Sequence, residues 1–453
     1  MVRLFAVADD LTGANATGAL LTLQGLRVAT LRPEGLEKLP GVPQYDAVIV
    51  SSNSRALPAD EAYARVRACF ARLGDGGASH FSKRIDTTLR GNVAVEIDAA
   101  LDELTDMEMA VVVPAFPKSG RITVGGYQLV DGVALEKTSV ARDPRTPVSK
   151  SHVPTLIQEG TRRKVASIPL GDVLCGWERV FECLSEARSC GAQIVVVDAT
   201  TDEEIETIAR AVSRLPFRVL LVDPGAFTAS TVLASRDVAS TTGAGSVSGP
   251  AGRQGRVALA IVGSATSLTR AQIKRLAETL PAVLVPVNAT ALAVGDPAFL
   301  DTIVAEAAKK VLDAVSARRA QDVVIVVTSS STQEDTLDLT DLDRKMDRAT
   351  GTAATNLASG LGRIARAALE GAKDAICGLY VTGGDTTLAV LEEVGAAGIE
   401  IATEVLPLAA SGTVIGGRHE GVRLVTKGGL VGGEDAAVQC VCHLLERGGG
   451  GRE

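Results

Sequence analysis

Short apolar runs recur along this chain, and each one ends in a polar loop. The clearest are Leu4–Ala8, Ala47–Val50, Ala110–Val113, Ile194–Val197, Val219–Val222, Leu259–Val262 and Val323–Val327. A strand buried on both faces reads this way, and helices on both sides of a parallel sheet produce such burial. Between the runs, apolar residues fall three and four apart. This spacing predicts helices near 14–24, 60–73 and 202–215. Another starts near Val93, with Val93, Ile97, Ala100, Leu101 and Leu104 on one face. Further strands are expected near 27–31 and 78–85, then a second series near 257–262, 283–287, 323–327 and 376–382. The alternation predicts an α/β protein of two domains, each a mostly parallel sheet flanked by helices. Residues 122–170 and 289–350 show no clear period and are left unassigned.

At 453 residues the chain exceeds one ordinary core, in line with two domains. Residues 239–255 hold no large apolar side chain and are rich in Gly and Ser, which reads as a linker. The expected division is 1–238, the linker 239–255, 256–446, and a Gly-rich tail, 447–453, read as disordered. The chain is 46% apolar but only 3% aromatic, so the core is built from Val, Leu, Ile and Ala. A net charge of −8 argues against a nucleic-acid surface. No run is long enough for a bilayer span, and the N-terminus reads as a buried strand, so a cytoplasmic protein is expected. Seven cysteines without a Cys-x-x-Cys, beside only four histidines, read as small buried hydrophobes rather than zinc ligands.

Ligands of α/β sheets sit at the carboxyl ends of strands, so the loops after the runs carry the candidate chemistry. Residues 82–92 bring Lys83, Arg84, Asp86, Thr87, Thr88 and Arg90 to one strand-to-helix turn. Arginine clamps a carboxylate with two parallel hydrogen bonds, while hydroxyls and Asp read alcohols, so the set suits a small polyhydroxylated anion. A charge run alone is more often a solvated face. Here three further loops share the pattern: Asp9-Asp10-Leu11-Thr12-Gly13, Ser51 to Arg55, and Pro114 to Arg121. Residues 141–147 form another polar loop. Thr12 is a candidate helix cap; the Asp9/Asp10 pair suits acceptance of a hydroxyl proton, the alternative being that one of the two Asp merely caps the helix.

In the second half, a strand near 376–381 runs into Thr382-Gly383-Gly384-Asp385-Thr386 and then a helix. Unpaired backbone N–H groups at a helix start suit phosphate, and Asp385 could hold magnesium beside it. Gly263-Ser264 follows another run, and Thr269-Arg-Ala-Gln272 has the form of a capping box. Lys427-Gly428-Gly429 follows a third, before a helix expected to turn Val438, Val441, Cys442 and Leu445 inward. Three glycine-bearing strand ends describe a nucleotide phosphate site. Neither the Walker nor the dinucleotide glycine fingerprint occurs.

Taken together, these pieces resemble the four-carbon acid sugar kinases. The resemblance is carried by Ala8-Asp-Asp-Leu-Thr-Gly-Ala14, Lys83-Arg-Ile-Asp-Thr-Thr-Leu-Arg-Gly-Asn92 with Glu96, Pro114-Ala-Phe-Pro117 with Gly120-Arg121, and Ala141-Arg-Asp-Pro144. Gly263-Ser264, Thr382-Gly-Gly-Asp-Thr386 and Thr426-Lys-Gly-Gly429 complete it, in order along nearly the whole chain. It implies a first domain binding a sugar acid of the threonate, erythronate or 3-oxo-tetronate type, and a second binding ATP with Mg2+. Substrate-type positions are Asp9, Arg55, Lys83, Thr87, Thr88, Arg90 and Arg121. Lys83 and Arg90 would hold the carboxylate, and Asp10 or Asp86 would accept the hydroxyl proton. Nucleotide-type positions are Ser264, Gly383, Gly384, Asp385, Thr386, Lys427, Gly428 and Gly429, with Asp385 near the metal. Ala16 and the turn Asp223 to Ala229 depart from the family pattern. A non-catalytic sensor of the same ligands is the rival reading. A nicotinamide-linked oxidoreductase is disfavoured by the missing fingerprint. Self-association, the acid's stereochemistry and the hydroxyl phosphorylated stay open.

Overall fold

The valine-rich runs are strands whose two faces are both covered. The computed structural model describes residues 2–38, 44–73, 77–143, 145–235, 255–318, 321–330 and 337–446. The expected linker, apart from Gly255, and the tail lie outside the described residues. By packing the chain divides into two units, Met1–Gly243 and Ala244–Glu453.

The first unit contains β1 (Leu4–Ala8), β2 (Val28–Leu31), β3 (Ala47–Ser51), β4 (His80–Arg84), β5 (Met109–Val112), β6 (Arg121–Val124), β7 (Tyr127–Val130), β8 (Val133–Ala134), β9 (Val165–Ile168), β10 (Ile194–Val197) and β11 (Val219–Asp223). Eight of these lie in the order β2-β3-β1-β4-β11-β5-β10-β9, every neighbour parallel. β3 and β4 flank β1 on opposite sides, so the chain changes direction across β1. That switch opens a crevice at the carboxyl ends of these three strands. The sheet's faces are covered by helices, among them Leu11–Leu23, Ala59–Leu73, Val93–Glu103 and Asp202–Val212. The last begins with a capping box between Thr201 and Glu204. β6, β7 and β8 form a separate antiparallel sheet in the stretch left unassigned from the sequence.

The second unit contains β12 (Val257–Val262), β13 (Ala282–Pro286), β14 (Val323–Thr328), β15 (Ile376–Thr382), β16 (Gly398–Leu406), β17 (Ala409–Ile415) and β18 (Arg423–Lys427). Its strands run β13-β14-β12-β15-β18-β17-β16. The first five are parallel and the last two antiparallel to their neighbours. The β16–β17 hairpin has no apolar run to announce it, because Glu400, Glu404 and Thr413 are only half-buried. The long helices Pro297–Ala317 and Thr352–Ala372 pack on this sheet.

Of the candidates for the first helix, Asp10 rather than Thr12 is the cap, accepting from Gly13 N at 2.8 Å. Thr266, not Thr269, caps Ser267–Thr279, accepting from Thr269 N at 3.1 Å. In each case the helix starts earlier than a cap at Thr12 or Thr269 would place it, at Leu11 and at Ser267. Helix Ala436–Leu445 buries Val441 and Leu445 as expected, together with Ala436, Ala437, Cys440 and Leu444, whereas Val438 and Cys442 are half-buried. It is apolar nearly all round, so its period alone does not choose the face. Only Cys69 and Cys440 are buried among seven free cysteines; Cys175 and Cys190 are exposed. No helix among the described residues is long and apolar enough to cross a membrane.

Candidate active site

Three carboxylates and three guanidiniums meet at the ends of β1, β3 and β4. Asp9, 2% exposed, leaves β1 and takes a two-pronged grip from Arg55, Nε to Oδ2 at 2.7 Å and Nη2 to Oδ1 at 3.0 Å. Arg55 arrives on the loop after β3. Its Nη2 also lies 2.8 Å from Asp10 Oδ1 and 3.6 Å from Asp86 Oδ1. Arg84, the last residue of β4, places Nη1 3.1 Å from Asp9 Oδ1 and 3.2 Å from Asp10 Oδ1. Beyond it, Asp86 accepts from Thr88 N, Thr88 Oγ1 and both Nε and Nη2 of Arg90, at 3.2, 2.5, 2.8 and 3.1 Å. Arg90 Nη1 reaches Asp143 Oδ2 at 3.3 Å, which draws in the 141–147 loop.

Buried charges are tolerated only when paired and hydrogen-bonded, and this cluster meets that condition internally. Burial pushes the Asp9 and Asp86 carboxyls up, but the arginines outweigh it. Arg55 and Arg84 hold Asp9 below its ordinary value; Arg55 and Arg90 hold Asp86 well below. Arg55 is in turn stabilised as a cation: its burial is outweighed by Asp10, Asp9 and Asp86. Asp9 and Asp86 therefore face any ligand as carboxylates held in that form by neighbouring guanidiniums.

Within this network one carboxylate oxygen stands apart. Asp10 Oδ1 is shared by Gly13 N, Arg84 and Arg55, whereas Oδ2 has no hydrogen-bond partner among the described residues. The Asp10 side chain is also the most open of the three acids, 20% exposed against 3% for Asp9 and 6% for Asp86. Arg55 borders a cavity of about 400 Å3, together with Leu89, Gly91, Asn92, Thr146 and Lys150. Of the cluster, Arg55 alone lines that cavity.

The sequence-selected residues separate into two groups. Asp9, Asp10, Arg55, Asp86, Thr88 and Arg90 come together, and Thr87 lies beside them with its hydroxyl unpartnered among the described residues. Lys83 does not join them. It is fully buried, with Nζ 2.7 Å from Glu96 Oε2 and 2.7 Å from the Arg84 carbonyl. Arg121 donates to the Ser119 carbonyl at the start of β6 and makes no contact with the cluster among the described residues. Arg84 and Glu96 stand in the sequence motifs without an assigned role, and Ser54 only within the loop from Ser51 to Arg55. The signal for Arg84 was strand parity: adjacent residues on β4 point to opposite faces, so Lys83 and Arg84 cannot serve one ligand. The departing turn has a structural use, since Asp223 accepts from the backbone of Gly225, Phe227 and Thr228 and caps Ala226–Ala234.

In the second unit, the ends of β12, β15 and β18 converge. A Cβ on Gly263 would sit 1.9 Å from Thr386 Oγ1, and one on Gly429 would sit 2.4 Å from Ser264 Oγ. Gly383 takes φ +106°, a conformation suited to glycine, and leads into helix Gly384–Glu393 with no side-chain cap. A helix start whose cap offers no side-chain acceptor is one that suits an anion. Thr269 Oγ1 lies 2.9 Å from Ser264 Oγ and 3.0 Å from the Gly429 carbonyl, binding two of the loops together. Thr386 is buried and Asp385 exposed at the helix start. Lys427 is buried, donating to the carbonyls of Gly428 and Val431 at 2.8 and 3.2 Å. Burial lowers its ammonium to about 8. Beside these ends, Ser329 and Ser330 follow β14 and are buried; no motif in the sequence marks them.

Residues 4–231 match a family model described as a sugar-binding N-terminal domain, and residues 259–437 match a nucleotide-binding C-terminal domain. A D-erythronate kinase of Heliobacterium modesticaldum is 39% identical over 99% of this chain and 98% of its own. The chain belongs to the four-carbon acid sugar kinase family. A second family member, a D-threonate kinase of Salmonella typhimurium, is 28% identical over 98% of this chain and 99% of its own. A crystal structure of a Salmonella typhimurium LT2 protein, described as a putative tRNA synthase, shares the fold. It aligns with a TM-score of 0.77 at 21% identity, over 97% of this chain and 98% of its own. In this sugar kinase the acid–guanidinium cluster falls within the sugar-binding match, and the glycine loops within the nucleotide-binding match.

Proposed function

We propose that the protein transfers the terminal phosphoryl group of ATP to a hydroxyl of a four-carbon sugar acid. The observation that carries the reading is the cluster of Asp9, Asp10 and Asp86 with Arg55, Arg84 and Arg90, with one open carboxylate oxygen, in a chain similar over its full length to a D-erythronate kinase. Phosphoryl transfer asks a protein mainly for positioning and charge compensation. In this reading Arg55, with Arg84 and Arg90, holds the substrate carboxylate. Thr87 and Asp86 read its hydroxyls. Asp10 Oδ2 accepts the proton of the attacking hydroxyl. Lys83, committed to Glu96, supports the cluster from behind rather than clamping the ligand.

The nucleotide polyphosphate is assigned to the backbone N–H groups at Gly383–Thr386, Gly263–Ser264 and Gly428–Gly429. Lys427 fixes the last of these loops through its carbonyls. No group of three metal-ligating side chains occurs among the described residues. Exposed Asp385 alone fits magnesium of the nucleotide-borne kind, held by one carboxylate, phosphates and water. Magnesium would supply charge neutralisation on the phosphates. The protein's own residues supply the proton acceptor and the alignment.

An ADP-release assay over four-carbon acids tests this function. Turnover with D-erythronate, D-threonate or a 3-oxo-tetronate is expected; acid and nucleotide binding without ADP release would turn the protein into a sensor. Asp385→Ala is expected to raise the KM for ATP about tenfold or more while leaving acid affinity in place. Gly13→Ala should act on the other substrate. Its Cβ would sit 1.9 Å from Arg84 Nη1, and that nearly buried guanidinium has no room to move without leaving Asp9 and Asp10. A rise in acid KM on the order of tenfold, with ATP KM unmoved, is the expected outcome.

A further inference from the structure

We infer that Glu96 is a positioning residue that, through Ser54, sets the place of Arg55; the inference rests on the acid-binding reading of the cluster given above. Glu96 is 1% exposed on the first turn of helix Val93–Glu103. A buried carboxylate there is costly, and an apolar side chain would fill the same space with less penalty. What an apolar residue would not supply is direction. One carboxylate oxygen pairs with Lys83 Nζ at 2.7 Å, and the other accepts from Ser54 Oγ at 2.6 Å. Ser54 is the residue immediately before Arg55.

The same helix start grips this loop at two further points. Asn92 Nδ2 donates to the Leu57 carbonyl at 2.9 Å and approaches that of Ser54 at 3.4 Å. Gly91, at φ +92°, packs so closely that a Cβ there would lie 3.1 Å from Arg55 Cγ. On the other side, Ser54 N and Arg55 N both donate to the Asp9 carbonyl, at 3.0 and 3.3 Å. The loop is thus held between the end of β1 and the start of a helix, and Glu96 is the charged member of that hold. A guanidinium that must meet Asp9, Asp10 and Asp86 together tolerates little displacement. A misplacement of about 1 Å costs up to about a hundredfold in a positioned reaction.

Ser54→Ala removes the link and leaves the Lys83–Glu96 pair intact, so the fold is preserved. With D-erythronate as the acid, its KM is expected to rise about tenfold or more, with the KM for ATP unchanged and the melting temperature lowered only modestly, since Glu96 and Ser52 each lose one buried hydrogen-bond partner. The decisive comparison is a double-mutant cycle with Arg55→Lys, which keeps a cation without the two-pronged fork. If Ser54 acts through Arg55, the alanine adds less than about twofold in the lysine background. Full additivity, or an equal change in ATP KM, would overturn the inference and leave the kinase reading standing. A wild-type chain that phosphorylates no four-carbon acid would remove that reading, and this inference with it.

Discussion

Lys83→Met destabilises the first unit by about 3–5 kcal/mol, because it strands the Glu96 carboxylate in a site with no water to solvate it. Both side chains are almost wholly buried, at 0% and 1% exposure. Burial already pushes the Glu96 carboxyl up, with Lys83 opposing. Without the ammonium, Glu96 must take up a proton or draw water inward. The measurement is the denaturant midpoint of the first unit's unfolding in the single variant and in Lys83→Met/Glu96→Gln. The double variant should recover most of the loss, since it buries no lone charge. A single variant as stable as the wild type would show that the pair is not the buried ion pair described here. Were Lys83 instead a ligand clamp, its loss would cost acid affinity and little stability.

Asp10→Asn lowers kcat by about 10²–10⁴-fold with a much smaller change in the acid's KM. The asparagine carbonyl still accepts from Gly13 N, so the helix cap survives and the cluster keeps its shape. What disappears is the proton acceptor at Oδ2. Steady-state kinetics on the sugar acid check this; an Asp10→Asn enzyme with near-normal kcat would remove the role. Asp86→Asn should behave differently, because its two oxygens are occupied by Thr88 and Arg90. Its loss falls on stability and acid affinity. The pH dependence follows in sign. The folded Asp86 carboxyl lies well below its ordinary value, so its stabilisation is present above about pH 4 and is lost as pH falls toward the folded value. Acid unfolding of Asp86→Asn should therefore be shallower than that of the wild type.

Much of this was legible in the chain because the physics was local. Uninterrupted valine and isoleucine runs have few uses other than doubly covered parallel strands, so β1, β3, β10, β12 and β14 announced themselves. Asp9 and Asp10 follow β1 directly, Arg55 lies on the loop after β3, and Asp86 and Arg90 lie on the loop after β4; strand ends are where α/β sheets place ligands. The glycine loops after β12, β15 and β18 were legible for the same reason. The β16–β17 hairpin was not, since half-buried antiparallel strands carry charges and break the run. The direction of the last helix was not either, because its face is chosen by packing against Tyr380 and Val425 rather than by its own period.

By itself, then, the sequence determined the α/β class and the two-part division, and it pointed to the strand-end loops proposed to carry the chemistry. Only the tertiary structure decided which cation faces the crevice. On β4 the side chains of Lys83 and Arg84 leave by opposite faces, one toward Glu96 on helix Val93–Glu103 and the other toward Gly13 at the start of helix Leu11–Leu23. Which of those faces opens on the acids depends on how the helices cover the sheet, and residues far apart in the chain set that arrangement.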